Sequence, residues 1–448
     1  MARDEDPRTA DMIERLEARA KDVLRLLPSQ PSSDQAVRRP FVLEFAGTPK
    51  AGKTTTVDRL ELLLRRNDYR VRVLKESAGA SPLKSKNDPR FNIWTAVTML
   101  GQVLEALDRD DHIVIIDRGV FDALCWMEWF KSAGRIALEE HRDIERFLCL
   151  PRLRRLVDLV FVLTVDPATA LEREFAGQLT RRQGQIMNLT TLRDLNQAIG
   201  KVKLRHRNDF SLVELDTTKG VAMDMLDKLA RDTLDGLEAF RDSVMVVPRH
   251  KLEELRISGF VSDHSRVQQF LALVHGASSF MGRKEAESSQ EHVQIIPIAY
   301  FEHSGRFLLL RRKERNPEHR LHDKYAIWAG GHVRKEDFSG GDDPIPVCLV
   351  REIEEELFIS QLPSPSLVGL VADSSNDRSR MHIGVVHSVK LLDASVAEPM
   401  HEHEFKEADG AGFRARLVDP DELGMHYRLM ERWSQLIVAD HLRLVTGI

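Results

Sequence analysis

The most constraining feature of this sequence is an eight-residue run that fits the pattern G-x-x-x-x-G-K-[ST] without a mismatch. The run consists of Gly47, Thr48, Pro49, Lys50, Ala51, Gly52, Lys53 and Thr54. An apolar segment, residues 41–45, precedes it, and a helical pattern over residues 57–64 follows it. A strand, a tight glycine loop and a helix in this order direct backbone N–H groups and a helix N-terminus toward one point, which suits a polyphosphate. The sequence therefore predicts a nucleoside triphosphate site formed by residues 47–55, Thr55 included.

Two side chains of this run have predicted chemical roles. We expect the ammonium group of Lys53 to reach the β- and γ-phosphates and the hydroxyl group of Thr54 to bind Mg²⁺. The expected ligands are therefore ATP and Mg²⁺. The pattern indicates nucleotide binding but does not specify the reaction.

Length and composition narrow the class of protein. The chain has 448 residues, so two or three domains are expected. The net charge of −5 gives no reason to expect nucleic-acid binding, and the three cysteines suit a reducing compartment better than a disulfide framework. No apolar run reaches transmembrane length, and the N-terminus lacks the apolar segment of a signal peptide. We therefore expect a cytoplasmic protein with small-molecule partners and no membrane association.

The distribution of strand and helix patterns predicts three segments. Residues 1–39 contain an amphipathic helical pattern and a linker, and the helix could pack on the next domain or mediate homo-oligomerisation. In residues 40–243, short apolar strands alternate with helices, which predicts an α/β domain with a parallel sheet and flanking helices. Residues 244–448 mix strands with two helices, near 345–358 and 426–445, and predict an α+β domain.

Polar residues follow two of the predicted strands, at the edge where parallel sheets bind ligands. After the strand 112–116, the carboxylate of Asp117 could hold Mg²⁺, and the guanidinium group of Arg118 could bind phosphate or carboxylate. A helix cap and a surface ion pair are the alternative roles of these two side chains. Glu76 follows the strand 69–74 and could activate an attacking hydroxyl group as a general base, or it could be an ordinary solvated side chain.

Arginines follow a third strand, residues 159–165. Arg173 lies in the helix after this strand, and Arg181 and Arg182 lie beyond a polar turn. Together with the glycine loop and the strand-end Asp-Arg pair, they resemble the thymidylate kinase and deoxynucleoside kinase group of P-loop kinases. The resemblance implies that Arg118 and Arg173, Arg181 or Arg182 stabilise the charge of the transferred phosphoryl group. The usual acceptor-recognition sequences are not clear, so the acceptor stays open between a nucleoside, a nucleoside monophosphate and another compound.

The last segment contains a second cluster of charge. In the predicted helix 345–358, Glu352, Glu355 and Glu356 share one face at positions i, i+3 and i+4. Carboxylates at this spacing repel one another unless a cation lies among them, and Mg²⁺ or Mn²⁺ prefers such oxygen ligands. A solvated acidic helix face is the alternative.

These carboxylates belong to a longer pattern that resembles the Nudix hydrolase box, G-x5-E-x7-R-E-U-x-E-E-x-G-U, where U is bulky and apolar. The matching residues are Gly331, Arg351, Glu352, Ile353, Glu355, Glu356 and Ile359. Asp337 replaces the first glutamate, although Glu336 is one position away, and Phe358 replaces the late glycine. Thirteen residues separate Asp337 from the arginine where the box has seven, so the loop is longer. The resemblance implies that the three glutamates bind metal, that one of them also serves as the base, and that Arg351 braces them.

The sequence as a whole predicts a bifunctional enzyme of nucleotide metabolism. Its kinase domain would transfer the γ-phosphoryl group of ATP to a nucleoside or nucleoside monophosphate. Its Nudix-like domain would hydrolyse a nucleoside diphosphate linked to another group. The alternative is a regulatory or sensor protein, with an ATP switch domain and a Nudix-like module that binds a ligand without turnover.

Overall fold

Two units make up the chain in the computed structural model. The first comprises Met1–Arg241 with Phe338–Gly341, and the second comprises Asp242–Asp337 with Asp342–Ile448. The structure describes residues 7–25, 27, 39–83, 85, 87–107, 109–176, 178–311, 324–338, 343–358, 362–373, 375, 379–392, 398–399 and 415–444. Within these residues, every helix is too short or too polar to cross a lipid bilayer.

The first unit contains a five-stranded sheet in which all paired strands are parallel. Its strands are β1 (Phe41–Gly47), β2 (Val71–Leu74), β3 (Ile113–Asp117), β4 (Leu159–Thr164) and β5 (Leu212–Asp216). The spatial order is β2-β3-β1-β4-β5, which places β1 at the centre. Phe45 of β1 pairs with Asp117 of β3, so the carboxyl ends of these strands lie side by side.

Helices cover both faces of this sheet. They are α1 (Pro7–Leu24), α2 (Lys53–Arg66), α3 (Pro89–Leu107), α4 (Val120–Ser132), α5 (Leu138–Leu148), α6 (Pro151–Arg154), α7 (Pro167–Phe175), α8 (Leu189–His206) and α9 (Met223–Asp242). Alternate residues of β4 show the two faces: Phe161 enters a core with Leu60 of α2, whereas Val162 enters a separate core with Phe121 of α4. The predicted α/β class is therefore confirmed for this unit.

The N-terminal helix α1 belongs to the core of the first unit. Ala20 and Val23 are buried in the same cluster as the residues of α2 and α9. The hydroxyl group of Tyr69 donates to the carbonyl oxygen of Ala20 over 2.6 Å, and the guanidinium group of Arg19 lies 2.9 Å from Asp235. Packing on the following domain is thus the role that the structure shows for this helix.

The second unit contains a mixed sheet. Its strands are β6 (Ser243–Pro248), β7 (Gly259–Val261), β8 (Ser279–Gly282), β9 (His292–His303), β10 (Arg306–Arg311), β11 (Tyr325–Ala326), β12 (Trp328–Gly330), β13 (Leu357–Phe358), β14 (Ser366–Ala372), β15 (His382–Lys390), β16 (Glu398–Pro399) and β17 (Ala415–Val418). The long strand β9 pairs in parallel with β15 and antiparallel with β6, β10 and β12. The strands β13 and β16 form a separate two-stranded pair. This mixture is consistent with the predicted α+β class.

Short helices accompany the mixed sheet. They are α10 (Arg249–Leu252), α11 (His264–Ala277), α12 (Arg283–Ala286), α13 (Pro344–Glu356), α14 (Pro420–His426) and α15 (Arg432–Leu436). Helix α13 begins at a cap in which the carboxylate of Asp343 accepts from the N–H of Ile345 over 3.0 Å. It ends at Glu356 rather than at residue 358, because Leu357 is extended and pairs in β13.

The single C-terminal helix predicted near 426–445 is wrong. The structure has α14, a 3₁₀ turn at Tyr427–Leu429, α15 and a π-helical turn at Ile437–His441. The chain is extended at Met430, which is buried, and Glu431 then caps a new helix by accepting from the N–H of Trp433 over 2.9 Å. Tertiary burial of an extended residue and a second cap therefore override the helical spacing.

Candidate active sites

The glycine loop between β1 and α2 has the conformation that the sequence pattern requires. Gly47 has a φ of 124°, and a Cβ atom there would lie 2.0 Å from a backbone oxygen of β4. Lys50 and Gly52 are also left-handed, with φ of 60° and 82°. The Nζ atom of Lys53 donates to the carbonyl oxygens of Gly47 and Thr48 over 2.9 and 2.8 Å. The loop therefore closes around an ammonium group at the start of a helix, an arrangement that suits phosphate oxygens.

The ammonium group of Lys53 is buried within this loop. Burial and the nearby guanidinium group of Arg118 lower the pKa of Lys53 to about 7. An anionic phosphate beside the amine would favour its charged form and raise this pKa again.

The other residues of the run have different environments. The hydroxyl group of Thr48 donates to an asparagine of α8 over 2.5 Å, and the ammonium group of Lys50 lies 2.9 Å from a glutamate of α7. Ala51 is buried, Pro49 lines a cavity next to the loop, and Thr55 is exposed. The run is thus fixed by α7 and α8 as well as by its own strand and helix.

Thr54 and Asp117 are brought together at the carboxyl end of the sheet. The hydroxyl group of Thr54 donates to Oδ2 of Asp117 over 3.1 Å. A hydroxyl and a carboxylate at the start of the loop helix are the hard oxygen donors with which Mg²⁺ is held beside a polyphosphate. The donor set fits Mg²⁺, with these two residues as the ones that would hold it.

Arg118 forms two ion pairs from a left-handed backbone conformation with a φ of 67°. Its Nε atom lies 3.2 Å from Glu76, and one of its terminal nitrogens lies 2.9 Å from Asp122. The sequence analysis did not single out Asp122, whose other oxygen accepts from the N–H of Gly47 over 2.8 Å. Asp122 therefore links the guanidinium group to the glycine loop, and its i+4 spacing from Arg118 was the signal available in the sequence.

Glu44 is a second residue that the sequence analysis missed. It is a charged residue in the middle of the buried strand β1. Its carboxylate accepts from the N–H groups of Gly119, Phe121 and Asp122 over 2.8–3.1 Å, at the start of α4. Burial raises the pKa of Glu44, and the three hydrogen bonds offset this effect only in part, so the pKa is about 7. The residue positions the start of α4, which carries Asp122.

The three predicted arginines of the lid segment are placed differently. The guanidinium group of Arg173 donates to the carbonyl oxygens of Lys50 and Thr217 over 3.1 and 2.5 Å. Arg181 and Arg182 are exposed in the irregular segment between α7 and α8. The structure therefore brings Arg173 to the glycine loop and leaves the other two on the surface.

A cavity opens beside the glycine loop, and we call it the first-unit cavity. Its lining includes the charged residues Glu76, Arg118 and Asp122 and the apolar or aromatic residues Phe91, Met99, Trp126 and Phe130. The indole N–H of Trp126 donates to Asp122 over 3.1 Å, which fixes this ring in the cavity wall. The cavity thus joins an apolar wall to the charged groups next to the loop.

The second candidate site lies where α13 meets the loop after β12. The N–H of Gly330 donates to Glu356 over 3.2 Å, and a Cβ atom on Gly331 would lie 2.4 Å from the carboxyl carbon of Glu352. Glu352 and Glu356 are buried, whereas the side chain of Glu355 is 27% exposed. The glycine pair therefore allows the loop to pack directly on the carboxylates.

Arg351 lies beneath these carboxylates and is almost fully buried. It forms a bidentate pair with Asp337 over 2.7 and 2.9 Å, and it lies 2.6 Å from Glu352 and 3.4 Å from Glu355. Of the two adjacent acids, Asp337 forms this bidentate pair, whereas Glu336 lies 3.3 Å from Arg334. Because the partners of Arg351 are themselves buried, the guanidinium group compensates charges that water cannot reach.

Arg334 is a second cation above the same carboxylates. Its terminal nitrogens lie 3.3 Å from Glu336, 3.7 Å from Glu352 and 3.8 Å from Glu355, and its side chain is 30% exposed. Its separations from Glu352 and Glu355 are longer than the 2.6 and 3.4 Å by which Arg351 approaches the same two carboxylates. The sequence pattern gave no role to this residue.

The three glutamates of α13 are candidate ligands of a divalent cation. Glu352, Glu355 and Glu356 offer only oxygen donors, which fit Mg²⁺ or Mn²⁺. Among the described residues, no group of three or more His, Cys, Asp or Glu side chains is arranged to hold a metal ion. The donor chemistry fits a divalent cation, with these glutamates as the residues that would hold it. The side chain of Phe358, Ile359 and the loop 339–342 lie outside the described residues.

Comparison with known proteins gives partial matches. No family model matches the sequence. Protein YmaB of Bacillus subtilis (strain 168) is 28% identical over 203 residues, which are 44% of this chain and 96% of that protein. The crystal structure of Tm1382, provisionally described as a Nudix hydrolase, matches with 24% identity and a TM-score of 0.36, over 45% of this chain and 100% of that one. Deoxyadenosine kinase from M. mycoides with bound dATP matches with 17% identity and a TM-score of 0.35, over 44% of this chain and 99% of that one. With TM-scores below 0.5, function has to be argued from the geometry of the two sites.

Proposed function

We propose that the first unit is an ATP-dependent kinase. The observation that supports this proposal is the glycine loop around Lys53 with the Thr54–Asp117 pair on one side and the Arg118–Glu76 pair on the other. Phosphoryl transfer depends mainly on positioning and on electrostatic stabilisation, and these side chains are suited to both beside the first-unit cavity.

The charges of the first-unit cavity favour an uncharged acceptor. Its described lining contains one cation, Arg118, and two carboxylates, Glu76 and Asp122, which are both paired with that cation. A monophosphate group carries about −1.5 to −2 charge at pH 7 and needs cationic partners beyond this one guanidinium group. Phe91 and Trp126 offer aromatic surface for a flat heterocycle. We therefore infer that the acceptor is a hydroxyl compound such as a nucleoside.

The chemical step follows from the positions of these groups. The acceptor hydroxyl oxygen bonds to the γ-phosphorus, the bond from that phosphorus to the β–γ bridging oxygen breaks, and ADP leaves with the electron pair. The hydroxyl proton passes to the carboxylate of Glu76. Lys53, Arg118 and Arg173 stabilise the charge on the phosphoryl oxygens, and Arg181 and Arg182 stay predicted members of this set. Mg²⁺ supplies charge neutralisation of the phosphates when it is bound.

For the second unit we propose metal-dependent hydrolysis of a nucleoside diphosphate linked to another group. The supporting observation is the buried Arg351, which orients Glu352 and Glu355 and is itself fixed by Asp337. A divalent cation at the carboxylates supplies polarisation of the diphosphate and of the attacking water. Glu355 is the most exposed of the three glutamates, so it is the one that we expect to accept the proton of that water.

One incubation tests both activities. The full chain is mixed with Mg²⁺, ATP and, in parallel, nucleosides, their monophosphates and nucleoside diphosphate conjugates, and all products are followed by mass spectrometry. Lys53→Ala is expected to abolish the first activity, and Glu355→Gln is expected to abolish the second. Lys228→Ala, on the exposed face of α9, is the control. A phosphorylated nucleoside that disappears only in Lys53→Ala supports the kinase. ATP binding without any product from wild type contradicts both activities and favours the sensor alternative.

A further inference from the structure

The second unit has a cavity that neither sequence pattern includes, and we call it the tryptophan cavity. Its lining includes Lys324, Trp328, Asp373, His382, Arg428, Glu431, Arg432 and Trp433. Lys324 precedes β11, Trp328 lies in β12, Asp373 and His382 lie at the ends of β14 and β15, and the other residues belong to the C-terminal segment that was wrongly predicted as one helix. The break at Met430 therefore lies within the part of that segment that lines the cavity.

Two indole rings form a wall of the tryptophan cavity. The indole N–H of Trp328 donates to Glu431 over 2.7 Å, and the same carboxylate accepts from the backbone N–H of Trp433 over 2.9 Å. The two rings lie 5.7 Å apart at an angle of 43°. A Cβ atom on Gly384 would lie 3.1 Å from the ring of Trp433, so this glycine makes room for the ring. The ring of Trp328 is thus held by a hydrogen bond, and the ring of Trp433 packs beside it and against Gly384.

The charged groups of the tryptophan cavity favour an anion. Lys324, Arg428 and Arg432 are exposed cations, whereas Glu431 is buried and bound to the indole and the helix start. Burial raises the pKa of Asp373, but hydrogen bonds from nearby serines outweigh this effect, so its pKa lies below the usual value. The described lining therefore has three cations and one carboxylate that is not engaged by an indole or a helix cap. In the first-unit cavity, by contrast, carboxylates outnumber cations.

The tryptophan cavity is connected to the carboxylates of α13 through two short paths. Trp328 belongs to the same three-residue strand as Gly330, whose N–H donates to Glu356. The ring of His382 lies 5.9 Å from the ring of His332, whose carbonyl oxygen accepts from Arg351 over 3.0 Å. The wall of the tryptophan cavity is therefore continuous with the segment that carries Gly330 and His332 beside the carboxylates of α13.

We propose that the tryptophan cavity binds the nucleotide part of the substrate of the second unit, with the base against Trp433 and a phosphate at Arg432 and Arg428. The proposal rests on the proposed hydrolase function, and it names the residues that select the substrate. An indole face stacks on any base, and a guanidinium group binds phosphate in a bidentate manner. Selection by Trp433 and Arg432 predicts an aromatic nucleotide rather than an aliphatic diphosphate as the substrate class.

The experiment must distinguish ligand binding in the tryptophan cavity from ligand binding at the candidate nucleotide site of the first unit. The full chain contains five tryptophans and is labelled with 5-fluorotryptophan, so that each ring gives its own ¹⁹F resonance. Trp433→Phe and Trp328→Phe assign two resonances of the second unit, and Trp126→Phe assigns that of the first-unit cavity. The probes are the four common nucleoside 5′-monophosphates, inorganic phosphate and a nucleoside without phosphate.

We expect at least one monophosphate to shift the resonances of Trp433 and Trp328 in a saturable manner. Loss of one phosphate contact in Arg432→Gln should weaken this binding by about tenfold, whereas Lys251→Gln, an equal change of charge on α10, should leave it unchanged. Equal weakening by both variants, or shifts of Trp126 without shifts of Trp433, would overturn the proposal. So would a response to inorganic phosphate that matches the response to every nucleotide.

The outcomes separate this proposal from the hydrolase function on which it rests. Hydrolysis by wild type with the same KM in Trp433→Leu and Arg432→Gln would reject the cavity and keep the enzyme. A saturable response of Trp433 without hydrolysis of any conjugate would reject the enzyme and keep a nucleotide-binding module. With both present, we expect the two variants to raise KM about tenfold, as loss of one base-stacking or phosphate contact does, with little change in kcat.

Discussion

The two candidate sites have opposite electrostatics. The first presents a buried ammonium group, Lys53, inside a loop of backbone dipoles, so an anion is the ligand that it favours. The second presents carboxylates over a buried guanidinium group, Arg351, so a cation is the ligand that it favours. The first site is made mainly by backbone conformation, whereas the second is made mainly by side-chain charges. We therefore expect the first to respond to protonation and the second to competition between cations.

The largest expected effect is a loss of kinase activity at the first site alone. Replacing Lys53 by alanine removes the only ammonium group that the loop encloses, and we expect the kinase rate to fall by about 10²–10³-fold. Hydrolysis by the second unit should be unchanged, since Lys53 belongs to the glycine loop and its ammonium group donates to Gly47 and Thr48. Steady-state rates of both reactions measure this. Loss of both activities in the soluble, folded variant would show that the two sites do not act independently.

The corresponding change in the second unit is Arg351→Met. It removes the bidentate partner of the buried Asp337 and the nearest cation of Glu352, and breaking such a buried pair costs about 3–5 kcal/mol. Urea unfolding followed through Trp328 and Trp433 should show this loss in the second unit. Arg283→Met, which removes an exposed pair with Glu287, is the control, and it should cost less than about 1 kcal/mol. Equal losses in the two variants would contradict the bracing role of Arg351.

A pH titration of ATP binding tests the expected response of the first site to protonation. The pKa of Lys53 is lowered to about 7 without ligand, and a bound triphosphate raises it. Below pH 7 the amine is already charged, whereas above pH 7 binding must take up a proton. The affinity for ATP should then fall by up to about tenfold per pH unit above 7.

Calorimetry at pH 8 in buffers of different ionisation enthalpy measures the proton uptake. Lys53→Arg keeps a permanent charge and should bind ATP without uptake, provided that binding survives. A wild-type affinity that stays constant from pH 6 to pH 8.5 would contradict the lowered pKa.

The smallest expected effect concerns cation competition at the second site. Arg334 lies 3.3–3.8 Å from Glu336, Glu352 and Glu355, where it neutralises the carboxylates that a metal would use. We expect Arg334→Gln to tighten Mn²⁺ binding by about three- to tenfold in electron paramagnetic resonance titrations without substrate, a modest effect because the side chain is partly exposed. Lys335→Gln removes the same charge one residue away and is the matched control. Weaker Mn²⁺ binding in Arg334→Gln would show that Arg334 supports the metal site instead.

Contiguous patterns in the sequence predicted much of the fold and part of each site. The glycine loop, the strand-end pair Asp117 and Arg118, and the glutamates of α13 each depend on residues a few positions apart, whose geometry is set locally. The parallel sheet followed from alternating apolar strands and helices in the same way. The prediction of one C-terminal helix was wrong because burial of Met430 and the cap at Glu431 are tertiary effects.

The sequence by itself determined that the glycine loop and the carboxylate-bearing helix α13 would form, because both are encoded by spacing within a single turn or loop. Only the tertiary structure decided which distant groups complete them. Asp122 reaches Gly47 from a helix 75 positions away in the sequence, and Glu44 holds the start of that helix from inside a strand. Arg351 pairs with Asp337, and the tryptophan cavity forms from three separate stretches of chain. Such contacts depend on burial and on the packing of elements far apart in the chain, which no local spacing records.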